Sequence, residues 1–235
     1  MCTILTFDKK LWDRSQNQVL AQMKRDASFN PDGFALVCLD PGAPEMNIRV
    51  QSMDFGMIRA VVKAFLKEAT QYARVFVHSR LATTGFVGIG FNHGFDDRSG
   101  RIIMHNGILR TGKHLAVDSF VLAELRTESV HDMFDELKDR HETYGNIFVI
   151  DPDLYSFYVI RLITGQLHTD GRGNYSTNAF AGIRTPMKVD SYEIETMPCP
   201  PPVVVAPKDD IPDDWEQRQL DSNGYYRAHK PWRTA

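Results

Sequence analysis

Five short stretches of this chain carry side chains able to do chemistry. The first is Cys2. Removal of an initiator Met would leave a thiol and a free α-amine on one residue. An α-amine titrates near about pH 8, so much of it is neutral in a cell and able to take a proton. A thiol activated by its own chain terminus needs no separate base residue. A retained Met1 blocks that route. The second stretch is His78-Ser79-Arg80-Leu81-Ala82-Thr83-Thr84-Gly85. Its guanidinium offers a planar, two-pronged donor suited to a carboxylate. The plainer use of such an Arg is to cap backbone carbonyls or join a surface ion pair. The third is His105-Asn106-Gly107. A side-chain amide beside a glycine N–H gives two adjacent donors, as an oxyanion hole requires. Asn-Gly is equally a common hairpin turn. The fourth is Asp118, at the start of an apolar-faced helix, where a carboxylate either pairs with a substrate ammonium or caps the helix. The fifth, Asn30-Pro31-Asp32-Gly33-Phe34, is a turn ahead of a strand.

These residues need elements to hold them. A strand is expected over 2–7, and a second apolar run, Phe34–Leu39, lies between turn signals. A short third strand fits 48–53. A helix follows over about 54–72, with Asp54 as N-cap and Ile58, Val61, Val62, Phe65 and Ala69 along one face. A strand at 73–78 delivers the Arg80 segment, and one at 101–104, stopping at His105, delivers the Asn-Gly pair. Helices fit 117–127 and 130–142. A hairpin fits 146–151 and 154–162 over Asp-Pro-Asp, and a last strand 178–183. Strands and helices do not alternate simply, which favours a layered α+β domain over a parallel βαβ fold. From about residue 197 the texture changes to Pro-Cys-Pro-Pro-Pro and an acidic, proline-broken run that has little to bury. The expected organisation is one domain over 1–196 and an extended tail over 197–235. Trp215, Tyr225, Tyr226 and Trp232 either dock that tail on a surface or sit in a loose polar terminus.

Composition narrows the function classes. The chain has 235 residues, 43% of them hydrophobic, enough for one packed core. A net charge of −3 gives no basic footprint for nucleic acid. The longest apolar runs are too short to cross a bilayer, and no basic-then-apolar leader opens the chain, so no membrane partner is expected. Cysteines at 2, 38 and 199 form neither a disulfide framework nor a metal knuckle, which points to a reduced, cytoplasmic setting. No metal is expected: the histidines are scattered, and His131 and His141 sit among charged neighbours on helical patterns. The glycines of 85–94 lack a Gly-Lys-Ser/Thr ending, so no nucleotide cradle is expected. No cofactor is called for.

Taken in order, Cys2, Asp32-Gly33, His-x-Arg-x-Ala-Thr-x-Gly, His-Asn-Gly and an Asp-Ser helix start resemble the class II glutamine amidotransferases, which are N-terminal-nucleophile (Ntn) hydrolases. The resemblance runs from Cys2 to about Arg184. It is most specific at the Arg80 segment and at residues 105–107, and weakest at Ser176-Thr177-Asn178. It implies a four-layer α/β/β/α sandwich of two antiparallel sheets. It implies that Cys2 attacks the carboxamide carbon of glutamine, that Asn106 and Gly107 hold the oxyanion, and that water then hydrolyses a glutamyl thioester. Arg80 and Thr83 would bind the substrate α-carboxylate and Asp118 its α-ammonium. Asp32, Gly33, His105, Ser176 and Asn178 are further candidates.

Two positions depart from the family's pattern: Thr3 where many members have Gly, and Val117 where Ser or Thr often precedes the binding Asp. No partner domain follows in this sequence, so the expectation is either a separate ammonia-accepting enzyme as partner or a simple hydrolase of glutamine or a γ-glutamyl amide. Two other readings fit the same motifs. One is an N-acyl amide hydrolase similar to choloylglycine hydrolases, against which the pairing of Arg80 with Asp118 counts, since it suits a free amino acid. The other is a catalytically silent binding or inhibitory protein on the same fold.

Overall fold

Alternation along each strand decides which way its residues face, and three apolar layers result. The structure is a computed structural model and describes residues 2–82, 87–109, 122, 127–138, 143–161, 166–168, 174–177 and 226–227. Its strands are β1 (Thr3–Asp8), β2 (Phe34–Leu39), β3 (Ile48–Ser52), β4 (Arg74–Ser79), β5 (Phe95–Asp96), β6 (Ile102–Leu109), β7 (Thr143–Asp151), β8 (Ser156–Arg161), β9 (Gln166–His168), β10 (Tyr175–Ser176) and β11 (Tyr226–Arg227). They form two sheets, in the orders β10-β1-β4-β2-β3-β11 and β5-β6-β7-β8-β9, and every pairing is antiparallel.

On the first sheet Leu5, Phe7, Leu36, Cys38, Val75 and Val77 turn to one face. There they meet helices α1 (Lys9–Phe29) and α2 (Phe55–Glu68) through Trp12, Val19, Met23, Ile58, Val62 and Phe65. The intervening residues, Ile4, Ala35, Val37, Leu39 and Phe76, turn the other way and pack on Ile102, Met104, Phe148, Ile150 and Val159 of the second sheet. That sheet's opposite face, with Ile103, Ile147, Val149 and Ile160, packs on helix α3 (Val130–Lys138) through Val130, Met133 and Leu137. β2 is buried along its whole length because both of its faces are covered.

Asp54 caps α2 as expected, its carboxylate accepting from Gly56 N at 2.7 Å, and the helix stops at Glu68 rather than Tyr72. Two features depart from the sequence reading. The 21-residue α1 is not expected from the sequence: its buried stripe includes the polar Gln22 and Asp26, and its ladder is broken at Ser15, where φ is −143°. Its cap is Asp8, which accepts from Leu11 N at 2.7 Å. β6 does not stop at His105. It continues to Leu109, so the Asn-Gly pair lies inside a strand and makes no hairpin turn. In the tail, Tyr226–Arg227 pairs with Val50 and Gln51 of β3 as an edge strand. The remainder of 197–235, and the segments 117–121 and 178–183, lie outside the described residues.

Candidate active site

The alternation that builds the core also gathers the candidate residues. Cys2 has the parity of Ile4, His78 and Arg80 that of Phe76, and Asn106 that of Met104. All therefore face the space between the sheets, at the end where apolar side chains give way to polar ones. Register completes the convergence: Ser79 lies opposite both Thr3 and Phe34, so Cys2, Arg80 and Gly33 come to one end of three adjacent strands. The Cys2 thiol lies 3.5 Å from the Leu81 carbonyl oxygen.

Asp32 and Gly33 hold this end together. Arg80 N donates to Gly33 O at 2.8 Å, Asp32 N to Arg80 O at 3.0 Å, and Ala82 N to the Asp32 carboxylate at 2.8 Å. Gly33 has φ +139°, and a β-carbon there would sit 1.8 Å from Asn92 Oδ1, so glycine is required for the close approach of Asn92. Both residues thus act on the backbone that carries Arg80. Thr3 has the parity of Leu5 and turns away from Cys2; its hydroxyl accepts from Asn30 Nδ2 at 3.4 Å, beneath α1. Its bulk lies behind the thiol rather than over it.

Arg80 is enclosed, with 1% of its surface exposed, and it makes contacts within the fold. Asn106 is also buried, and its Oδ1 has no hydrogen-bond partner among the described residues. Which end of the amide is oxygen is an assignment, so a rotated amide presents two N–H donors at the same place. Ser176 lies opposite Leu5 on β10, and the neighbouring Thr177 clasps Ile4 through both its backbone N–H and its hydroxyl. Thr83, Asp118 and Asn178 lie outside the described residues.

Three residues to which sequence reasoning gave no role, His78, His93 and Gly145, complete the site. His93 follows the glycine-rich stretch and stacks on His78, with ring centroids 3.8 Å apart and planes 12° apart. His93 Nδ1 accepts the His105 N–H at 3.1 Å, and His78 Nε2 lies 3.1 Å from the His105 carbonyl oxygen. Burial above all, then the nearby His78, His105 and Arg80, holds His93 well below the usual imidazole range, so it is neutral. Gly145 lies opposite Gly107 at φ +128°. A β-carbon there would lie 2.3 Å from Asn106 O and 2.6 Å from Gly107 Cα. A His in a glycine-rich loop gives no periodic signal, and a lone strand glycine looks like a weak point until its partner strand is known. His105 itself has the parity of Ile103, which turns its ring to the opposite face of β6; its backbone is what the site uses.

Ligand atoms of Cys2, His78 and His93 lie within 4.8 Å of one another, a donor set that invites a metal. The hydrogen bond at His93 opposes one. A carbonyl only accepts and a backbone N–H only donates, so His78 carries its proton on Nε2 while His93 spends its Nδ1 lone pair on His105. A ligating His uses one nitrogen on the metal and donates from the other; His93, accepting at Nδ1, keeps its proton on the nitrogen a metal would need. A cavity of about 370 Å³ lies elsewhere, at the Arg101 end of β6, lined by Ser99, Glu128, His131, Asp151 and Tyr158 among others, and holds none of the candidate residues. Among the described residues no helix is long and apolar enough to cross a membrane. A comparison with models of known protein families finds no match for this chain, and a comparison with curated proteins finds none either.

Proposed function

We propose that this protein is an amide hydrolase of the glutamine amidotransferase type, on a four-layer Ntn-hydrolase sandwich, with Cys2 of the processed chain as nucleophile. One observation carries the reading. The Cys2 thiol lies within 4.8 Å of two histidines that both bind the backbone of His105, immediately before the Asn106-Gly107 donor pair. A thiol that precedes the first strand thus lies near two rings that bind the backbone leading into Asn106 and Gly107 on the other sheet, which supports the reading.

In this reading the α-amine of Cys2 takes the thiol proton as sulfur bonds to the carboxamide carbon of glutamine. Negative charge gathers on the former carbonyl oxygen, where the Asn106 amide and the Gly107 N–H meet it. The carbon–nitrogen bond then breaks, and the ammonium proton returns to the leaving nitrogen, which departs as ammonia. Water adds to the thioester carbon, the carbon–sulfur bond breaks, and glutamate and the free thiol result. Arg80 binds the α-carboxylate; an ion pair formed against an enclosed guanidinium is stronger than one at an exposed surface. Thr83 and Asp118 complete the grip on the amino acid, and ammonia passes to a separate acceptor enzyme or to water.

The test is ammonia release from glutamine, γ-glutamyl amides and N-acyl amides by wild type and Cys2→Ala. The expected result is glutamine hydrolysis that falls at least about a thousandfold in the variant. Activity on N-acyl amides alone, or on no amide, overturns the proposal.

A further inference from the structure

We propose that His78 and His93 are positioning residues for the oxyanion donors: as a stacked pair they clamp the backbone of His105, one donating to its carbonyl and the other accepting its N–H, and so fix Asn106 and Gly107 relative to Cys2. This rests on the amide-hydrolase reading above. The clamp arises from a gap in a sheet. In an antiparallel ladder the N–H and C=O of one residue point to the same edge of its strand, and successive residues alternate edges. On the β5 side of β6, Ile103 is served by the neighbouring chain, its carbonyl accepting from Gly94 N at 3.0 Å while Phe95 lies opposite it. β5 contributes only Phe95 and Asp96 to the ladder. The next residue on that edge is His105, and buried backbone groups there need partners. Two imidazoles take the place of a strand. His78 reaches the carbonyl from the first sheet, and His93 reaches the N–H from the loop that precedes β5.

The same alternation points the Gly107 N–H to the edge that His105 presents to the clamp. A slip of β6 along that edge moves the Gly107 donor, and the Asn106 amide beside it, away from where an oxyanion would form. Both arms of the clamp are anchored. His78 lies on β4 between β1 and β2, opposite Ile4 and Ala35. The His93 loop is tied to β3: Gln51 Nε2 donates to the carbonyls of Asn92, at 2.5 Å, and His93, at 3.1 Å, and Asn92 Nδ2 donates to Ser52 O at 3.0 Å. Arg49 also binds the Gly94 carbonyl and Asp96. The clamp therefore couples the sheet carrying the nucleophile to the sheet carrying the oxyanion donors.

The two hydrogen bonds use different nitrogens, which makes the test specific. An Asn side chain places its amide oxygen where imidazole has Nδ1, and a Gln places its amide nitrogen where imidazole has Nε2. His93→Asn and His78→Gln therefore keep one bond each, whereas His93→Gln and His78→Asn lose theirs. The expected kcat is within about tenfold of wild type for the first two and about a hundredfold lower for the second two, with KM within a few-fold throughout. Equal losses from Asn and Gln at each position, or losses carried by KM alone, overturn the clamp. Imidazole 15N shifts and exchange of the His105 amide in wild type provide a readout that needs neither turnover nor a folded variant. They should show both rings protonated on Nε2 and a protected amide. The opposite tautomer in either ring, or rapid exchange, refutes the clamp whatever the activity. Clamp signatures in a protein that hydrolyses no amide refute the amide-hydrolase reading instead, and the positioning role with it, while the hydrogen-bond geometry stands.

Discussion

Replacing Gly145 by alanine tests the oxyanion assignment without touching a residue assigned to the chemistry. The new β-carbon would lie 2.3 Å from the Asn106 carbonyl oxygen and 2.6 Å from Gly107 Cα, both of them backbone atoms that cannot rotate aside. Restoring an ordinary contact requires β6 and β7 to part by roughly 1 Å at the donor pair, and a misplacement of that size costs about a hundredfold in rate. The expected loss of transition-state stabilisation is about 2.7 kcal/mol, read as a fall in kcat with KM little changed. Alanine at φ +128° adds backbone strain of about 1–3 kcal/mol, so the variant must also be less stable. Ile147→Val on the same strand is the control: it trims a fully buried side chain at a cost of about 0.5–1.5 kcal/mol and leaves the donor pair in place. Both variants should be assayed for ammonia release from glutamine well below their thermal transitions, with circular dichroism confirming the fold. If Gly145→Ala keeps kcat within about threefold of wild type while folded, the reasoning that places an oxyanion site at Asn106 and Gly107 is refuted.

Three further outcomes follow from the same geometry. Asn106→Ala should lower kcat by about a hundredfold to a thousandfold with little change in KM, measured by steady-state ammonia release; unchanged kcat removes its assignment. Brief iodoacetamide treatment followed by peptide mapping should label Cys2, which is half-buried, at least about a hundredfold faster than Cys38, which is sealed in the core with its thiol pushed far up by burial; Cys38 labelled first contradicts the packing described. His93 also sets an acid limit on stability. Burial and the surrounding His78, His105 and Arg80 hold its folded-state value well below 6.5, the value it regains on unfolding. Below about pH 6.5 the unfolded chain binds a proton that the folded chain refuses, so this contribution is complete above that pH and is lost progressively toward the folded-state value. Urea midpoints between pH 7.5 and about 5 should fall less steeply for His93→Asn than for wild type, and identical slopes contradict a buried neutral ring at this position.

Much of the site is legible in the sequence because strands have a period of two. Once Phe34–Leu39 and the runs around Ile4 and Phe76 are read as strands buried on both faces, parity assigns Cys2, His78 and Arg80 to one face, and residue types suggest the chemistry. Asp32-Gly33 reads as a turn; the chain bends there, and the pair has the added duty of holding the Arg80 backbone. What stays hidden depends on contacts between segments distant in sequence. α1 escapes because a polar run separates Trp12 from Val19 and because polar Gln22 and Asp26 share the buried stripe with Val19, Met23 and Ala27, so that stripe emerges only where it lies on the sheet. Asn-Gly reads locally as a turn, and only pairing with β7, some 40 residues later, reveals a strand running through it. The requirement for glycine at 145 is likewise a property of the partner strand. The histidine clamp joins residues from two sheets and a loop, and nothing in their spacing announces that His78 and His93 bind one backbone unit.

The most direct measurement is the mass and site of any covalent species formed when purified protein is mixed with glutamine and quenched in acid, or treated with a glutamine-analogue electrophile. The account predicts a mature chain whose first residue is Cys2, carrying a single glutamyl-sized adduct on that thiol and none in Cys2→Ala. A chain that keeps Met1, or that releases ammonia while Cys2 is never acylated, contradicts it.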